Sequence, residues 1–248
     1  MNNSKIVGMY RVKNEERFLP TSLESVRDVC DEIVVLDDGS TDQTVEICKS
    51  FNNVVDVHSQ SETELDEVRD RNFLLNMALK RKPDYIISID GDEVLMPFAK
   101  DLLLEELEIL YPEKFVFEFQ FLTCWDGGHQ IRTDGIFGNY YQKRLFRVQH
   151  ESSKLKFENT KNPGNLHCGS IPKSLPGFEN PVRSKVKIFH LASIDESLRQ
   201  QKFQYYTKID PDNPLTDGYK HMISGEGKFS GANGIELQQL PKEFGILM

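Results

Sequence analysis

Apolar positions in the first part of the chain switch repeatedly between two periods. Residues 5–12, KIVGMYRV, form a short apolar run that predicts a first strand. In FLPTSLESVRDVC, Leu19, Leu23, Val26 and Cys30 recur at spacings of four and three, the stripe of a helix. EIVVL is apolar at nearly every position, as in a parallel strand covered on both faces. A second helix is expected over 41–51, a third strand at VVDVH, and a longer helix over 64–80 with Leu65, Val68, Leu75 and Leu79 on one face. DYIISID reads as a fourth strand. Such alternation of strand and helix predicts an α/β fold, a parallel sheet with helices on its faces.

The later part has a different texture. KDLLLEELEIL reads as helix, KFVFEFQFLTCW, NYYQKRLFRV and KVKIFHLAS as strands, and DESLRQQKFQYYTKI as helix. Residues 151–181 are rich in Gly, Pro, Ser and Asn and are expected to be loop, a natural place for substrate contacts. The periodicity places nothing after residue 211.

The composition narrows the function classes. With 248 residues, 38% of them hydrophobic and 28% charged, the chain is long enough to bury a sizeable core. A net charge of −9 argues against tracking nucleic-acid phosphates. Cys30, Cys48, Cys124 and Cys168 are scattered without a C-x-x-C, the pattern of reduced thiols in a cytoplasmic protein. No apolar run reaches the 18 residues of a membrane span, although peripheral membrane contact is compatible with the sequence.

Two strand ends carry the candidate chemistry. EIVVL runs straight into Asp37-Asp38-Gly39-Ser40, and YIISI into Asp90-Gly91-Asp92-Glu93. Ligands of open α/β sheets bind beyond the carboxyl ends of the strands. Ser40 with Gln43 matches a capping box and Gly39 suits a tight turn, but neither explains two adjacent carboxylates after a buried strand. Carboxylates crowded at one sheet edge call for a hard cation, Mn²⁺ or Mg²⁺, whose open positions suit a phosphate-bearing substrate.

In order and spacing, RVKNEERFLPTSLESV, EIVVLDDGSTDQT, RDRNFLLNMA and IISIDGDEVL resemble the inverting family 2 glycosyltransferases of the GT-A fold. That fold is a Rossmann-like, mostly parallel sheet flanked by helices, with a variable acceptor-binding half. The resemblance is close over residues 5–95 and then thins to KRLFRV and a histidine after a strand, IFH. It implies a nucleotide-sugar-binding half over 1–95, an acceptor-binding and catalytic half over 96–210, and a tail over 211–248 without an assigned role. By the same resemblance, Asp37 grips the nucleobase with Asp38 nearby, and Arg11, Val12 and Glu15 line its pocket. Arg71, with Arg69 as a similar candidate, contacts that pocket or holds one of its aspartates. Asp90 meets the ribose beside Gly91, and Asp92 coordinates the metal that bridges the diphosphate. His190 is the candidate second metal ligand.

The implied reaction moves one sugar from a nucleotide-diphosphate sugar, expected to be UDP-linked, to an acceptor hydroxyl of a saccharide, lipid-linked sugar or protein. A general base is needed on the acceptor side. Asp126, Asp134, Glu151 and His167 are candidates, with a small edge for His167 in its Gly- and Pro-rich loop. Trp125, beside Asp126-Gly127-Gly128, suits either sugar stacking or a packed turn. The Q-x-x-R-W motif of processive synthases is absent: Gln200-Gln201 leads into Phe203-Gln204-Tyr205. The rivals are a nucleotidyltransferase, which would carry a Gly-rich phosphate loop after strand one, and a non-catalytic nucleotide-sugar-binding module.

Overall fold

The computed structural model describes residues 4–61, 64–148, 155–211, 219–226 and 229–240. The elements in chain order are β1 (Ile6–Val12), α1 (Leu19–Val26), β2 (Glu32–Asp37), α2 (Thr44–Ser50), β3 (Val54–Ser59), α3 (Glu67–Lys80), β4 (Tyr85–Asp90) and β5 (Glu93–Leu95). Then come α4 (Ala99–Glu105), β6 (Val116–Trp125), β7 (Gln130–Arg132), β8 (Tyr141–Arg147), β9 (Val182–His190), α5 (Glu196–Ile209) and β10 (Leu237–Gln239). The chain forms two compact units, one of Met1–Phe119 with Gln142–Val186 and one of Gln120–Tyr141 with Lys187–Met248.

In the first unit β1 to β4 are parallel, in the order β3-β2-β1-β4, and β8 joins β4 antiparallel. β1, β2 and β4 are buried almost throughout, which is why their sequences read as continuous apolar runs. β3, at the edge, is half-buried to exposed, and Asp56, His58 and Ser59 stand among its valines. One core cluster joins Val7, Met9, Val34, Leu36 and Ile86 of the sheet to Val68, Leu74, Leu75 and Ala78 of α3. Met77, Val116, Phe146, Phe157, Cys168, Ile171 and Leu175 complete it.

Several expected boundaries shift. α1 ends at Val26 and α2 starts at Thr44, not at residue 41. The Ser40–Gln43 capping box does not form. Ser40 Oγ instead accepts from the Asn14 amide (2.8 Å), and Asp42 Oδ1 takes the Thr44 amide (3.0 Å). α4 passes into a single π-helical turn, Glu106–Leu110. That turn holds a buried Glu106 carboxylate, which accepts from Ser184 Oγ and the Lys185 amide at 2.6 Å each.

The Gly- and Pro-rich loop is better anchored than its composition suggests. Leu166, Cys168, Ile171 and Leu175 are buried, and Asn72 pairs with the Phe157 backbone through both its Nδ2 (3.0 Å) and its Oδ1 (2.8 Å).

In the second unit β6 pairs antiparallel with β7, and β7 with β10. α5 is capped by Asp195, which accepts the Leu198 amide at 2.8 Å. Of the tail, 220–222 form a 3₁₀ turn and 237–239 form β10. Elements this short carry no readable period. Among the described residues no helix is long and apolar enough to cross a membrane.

Candidate active site

The strand order creates the site. The chain steps from β1 outward to β2 and β3, then returns to place β4 on the other side of β1. Crevices beyond the carboxyl ends of strands at such a reversal bind ligands. In register, Val12 lies beside Asp37, and Arg11 lies beside Asp90. Asp37 and Asp90 therefore flank the end of β1, about two strand spacings or ~9.5 Å apart.

Around this edge carboxylates and arginines interleave. Asp37 is buried, and its Oδ1 accepts the Ser40 amide at 3.1 Å. Asp38 is held by Arg11 Nη2 (2.9 Å) and Gln60 Nε2 (2.8 Å). Arg11 also donates from Nε (3.2 Å) and Nη2 (2.9 Å) to Asp70 Oδ2. Arg69 takes the other oxygen of the buried Asp70, from Nε at 2.9 Å and Nη2 at 2.7 Å. Val12 is buried, and its carbonyl accepts the Asp38 amide at 2.8 Å. The Glu15 amide donates to Thr44 Oγ1 at 2.8 Å. Gly91 has no room for a side chain, because a Cβ there would lie 2.8 Å from Glu15 Cγ and 2.9 Å from Glu15 Cβ.

Asp90 sits between two buried guanidiniums. Arg71 Nη2 is 3.7 Å from Oδ1, and Arg144 Nη2 is 3.1 Å from Oδ2. Arg71 is thus no surface residue: it also donates to Glu67 Oε1 (3.0 Å) and Ser88 Oγ (3.4 Å). Arg144 binds Glu93 and Ser170 as well. Burial opposes the charge on Arg71, but Asp90 and Glu67 outweigh it and move its pKa upward. Burial pushes the Glu93 carboxyl well up; Arg144 offsets part of this, and Asp90 and Asp92 add to it.

Asp92 is buried in the same cluster. Both oxygens of Asp90 face guanidinium groups, and Asp92 is the neighbouring carboxylate that could hold a cation. Among the described residues no three His, Cys, Asp or Glu side chains converge to hold a metal ion. A divalent cation here would take one or two protein carboxylates and complete its shell from phosphates and water, the habit of Mg²⁺ and similar ions. The hard-oxygen donor set fits that ion.

His167 lies in the first unit, exposed, at φ +62°, with its amide donating to Glu67 Oε2 (2.7 Å). Burial pushes the thiol of its neighbour Cys168 up to about 12. Glu151 falls outside the described residues.

The other candidates belong to the second unit. Asp126 is mostly exposed and occupies a left-handed turn at φ +41°, followed by Gly127 at +95° and Gly128 at +75°. One of its oxygens accepts from Arg199 Nη1 at 2.9 Å, and Arg199 also donates to the Ser193 carbonyl at 2.8 Å. Trp125 is buried, with Arg199 at 4.2 Å and Arg132 at 5.0 Å from its ring centroid, so the packed-turn alternative holds and sugar stacking does not. Asp134 is fully buried against Arg132. His190, half-buried at the end of β9, meets Phe121 edge-on at 6.0 Å.

Four site residues escaped the sequence reading: Glu67, Asp70, Arg144 and Ser170. Asp70 and Glu67 look like surface acids of a helical first turn, and Arg144 like one of several basic residues on a strand. Only the fold aims them at the carboxylates.

A family model described as glycosyl transferase family 2 matches residues 11–155, more than half of the chain. The chain belongs to glycosyl transferase family 2. Within the family it is 32% identical over 107 residues to an uncharacterized glycosyltransferase of Rickettsia typhi, covering 43% of this chain and 33% of that protein. A Rickettsia prowazekii glycosyltransferase is 31% identical over the same length and coverage. The chain spans about a third of the length of these curated relatives. Among solved structures, Staphylococcus aureus TarS aligns at a TM-score of 0.52 and 15% identity, over 83% of this chain and 40% of that one, a likeness of fold. The GT-A expectation is met: the mostly parallel β1–β4 core carries the matched motifs, and the family match supports no nucleotidyltransferase reading.

Proposed function

We propose that this family 2 chain is a metal-dependent, inverting, non-processive glycosyltransferase that moves one sugar from a nucleotide-diphosphate sugar, UDP-linked, to an acceptor hydroxyl. The observation that carries this reading is the convergence of Asp37, Asp90, Gly91 and Asp92 on the strand ends flanking β1. Residues 1–95 carry the donor in this proposal, and the acceptor side is drawn from 96–210. Asp37 accepts from the nucleobase, in a pocket shaped by Arg11, Val12, Glu15 and Asp38. Asp70 and Arg69 fix the direction of Arg11. Asp90, oriented by Arg71 and Arg144, accepts from the ribose.

Asp92 would hold the divalent ion. When bound, that ion, Mn²⁺ or Mg²⁺, would supply counter-charge for the departing diphosphate. The base takes the acceptor's proton while the anomeric carbon passes from diphosphate to acceptor oxygen in one displacement, with inversion. Asp134 is poorly suited to this task, since Arg132 and two backbone amides occupy its lone pairs. Asp126, Glu151 and His167 remain the candidates. The acceptor is a saccharide, a lipid-linked sugar or a protein side chain.

A hydrolysis screen of nucleotide sugars with Mn²⁺ tests the reading without knowledge of the acceptor. Slow release of the nucleoside diphosphate from one donor, abolished by EDTA, is the expected result. Nucleotide binding without hydrolysis of any donor would favour the non-catalytic module. Absence of both would overturn the donor site.

A further inference from the structure

The exposed His167 sits on a short segment wired at both ends to Asp90. From His167, the amide donates to Glu67 Oε2 at 2.7 Å, and Glu67 Oε1 accepts from Arg71 Nε at 3.0 Å. Arg71 Nη2 then meets Asp90 Oδ1 at 3.7 Å. From the other oxygen, Asp90 Oδ2 accepts from Arg144 Nη2 at 3.1 Å, and Arg144 Nη1 donates to Ser170 Oγ. Ser170 follows His167 by three residues, so the chain of contacts closes on itself.

This circuit lies within the first unit, and its two guanidiniums are shielded from solvent. Arg71 and Arg144 are buried, and Leu166, Cys168 and Ile171 anchor the segment's apolar side in the core. The segment is also conformationally demanding. Asn165 and His167 hold φ of +52° and +62°, and Gly164 and Gly169 hold +57° and +93°. Backbone strain in non-glycine residues persists only where surroundings over-determine it, and it concentrates at functional sites. Asn165 is held locally, by Asp66 (3.0 Å) and the Thr160 amide (3.1 Å), whereas the contacts at His167 and Ser170 lead to the carboxylate at the end of β4.

We propose that Arg144 and Ser170 are positioning residues that tie the His167–Ser170 segment to Asp90, so that an occupied donor site orders this segment for transfer. The inference rests on the donor reading above and adds a coupling between the nucleotide edge and the loop. A ribose drawn onto Asp90 stiffens the carboxylate, Arg144 and Ser170 follow, and His167 is held at a fixed place beside the site. Arg144 touches Asp90 directly, so its loss disturbs donor binding and positioning together. Ser170 touches only Arg144 within this circuit, so its loss isolates the positioning step.

Two measurements on the full chain test this. Amide hydrogen exchange over 164–172 is followed with Mn²⁺ alone and with Mn²⁺ plus UDP, GDP, dTDP or ADP. Nucleotide affinity and donor hydrolysis are measured on the same samples. In the wild type, the nucleotide that binds should slow exchange in this segment by about tenfold. In Ser170→Ala that protection should shrink to about twofold or less, with hydrolysis turnover down about tenfold and nucleotide Kd within about twofold of wild type. Ser170→Thr, which keeps the hydroxyl, should restore both. Arg144→Lys should weaken nucleotide binding as well as protection. A merely structural Ser170 would lower the melting temperature while turnover per folded molecule and nucleotide-dependent protection stayed at wild-type values, and that result overturns the proposal. Nucleotide binding that leaves 164–172 unprotected in the wild type overturns it too, while the donor reading stands. Failure of all four nucleotides to bind overturns both.

Discussion

Asp134→Ala distinguishes a structural carboxylate from a catalytic one. Arg132 and Asp134 have fully buried side chains. Asp134 accepts from Arg132 Nε (2.6 Å) and Nη2 (2.8 Å) and from the amides of Gly231 (3.0 Å) and Glu236 (3.2 Å). Without the carboxylate, Arg132 keeps, among the described residues, the His221 carbonyl (2.6 Å) and Ser230 Oγ (2.8 Å) as hydrogen-bond partners. Removing one member of a buried pair leaves an uncompensated charge and costs ~3–5 kcal/mol. The two amides belong to residues that water reaches and add about 1 kcal/mol or less each. A total of about 5 kcal/mol is a large share of the ~5–15 kcal/mol that holds a native protein together. With a urea slope of about 2–3 kcal/mol/M, the midpoint should fall by roughly 1.7–2.5 M. Trp125 is the single tryptophan and lies 5.0 Å from the Arg132 guanidinium, so its fluorescence reports the affected region directly. The double variant Arg132→Met with Asp134→Leu removes both charges and should recover most of the loss. An unchanged midpoint in Asp134→Ala together with hydrolysis reduced a hundredfold or more would refute the argument and restore Asp134 as the base.

Acid titration of the same pair gives a second check: hydrogen bonds from Arg132 and the two amides outweigh burial and hold Asp134 below its ordinary range. A depressed carboxylate contributes stability above its unfolded pKa and loses it as pH falls through the folded one, so the Asp134 contribution should be constant down to about pH 5 and decline below about pH 4; the wild-type minus double-variant difference in urea midpoint reads it. Asp92→Ala, or EDTA on the wild type, should lower donor hydrolysis by about two to three orders of magnitude, and undiminished turnover in EDTA removes the metal assignment. Asp37→Asn should weaken nucleoside diphosphate binding by about 1–3 kcal/mol in calorimetry, with unchanged affinity in a folded variant counting against the base-gripping role. Gly91→Ala drives a methyl into Glu15 and should cost about 1–3 kcal/mol of stability; a thermal midpoint equal to wild type would show that Glu15 moves aside freely.

Much of the first unit could be read directly from residue order. β1, β2 and β4 are buried on both faces, so their sequences are apolar without alternation, and the Asp37-Asp38 and Asp90-Gly91-Asp92 clusters interrupt them where the sheet ends. Those signals are local: each depends on a few consecutive residues. Arg71 was legible as a candidate for the same reason, next to Asn72 in a motif on α3. The capping box was misread because Ser40 found a better partner in the Asn14 amide, a loop 26 residues away. Nothing within the turn itself announces that competition.

The remaining features are decided at long range. Arg144 reaches Asp90 across 54 residues of sequence and Ser170 across 26, and neither distance leaves a periodic trace. Trp125 and Asp134 look like site residues because aromatic and acidic side chains beside glycines are common in sugar-binding loops. Folding instead buries Trp125 against two arginines and saturates Asp134 with donors. The sequence by itself determined the parallel α/β core and the two acidic strand ends, because backbone period and strand termination are written in neighbouring residues. Only the tertiary structure decided which carboxylates are held by guanidinium groups and which segment is tied to them, because a buried charge takes whatever partner the fold brings within about 3–4 Å, irrespective of its place in the chain.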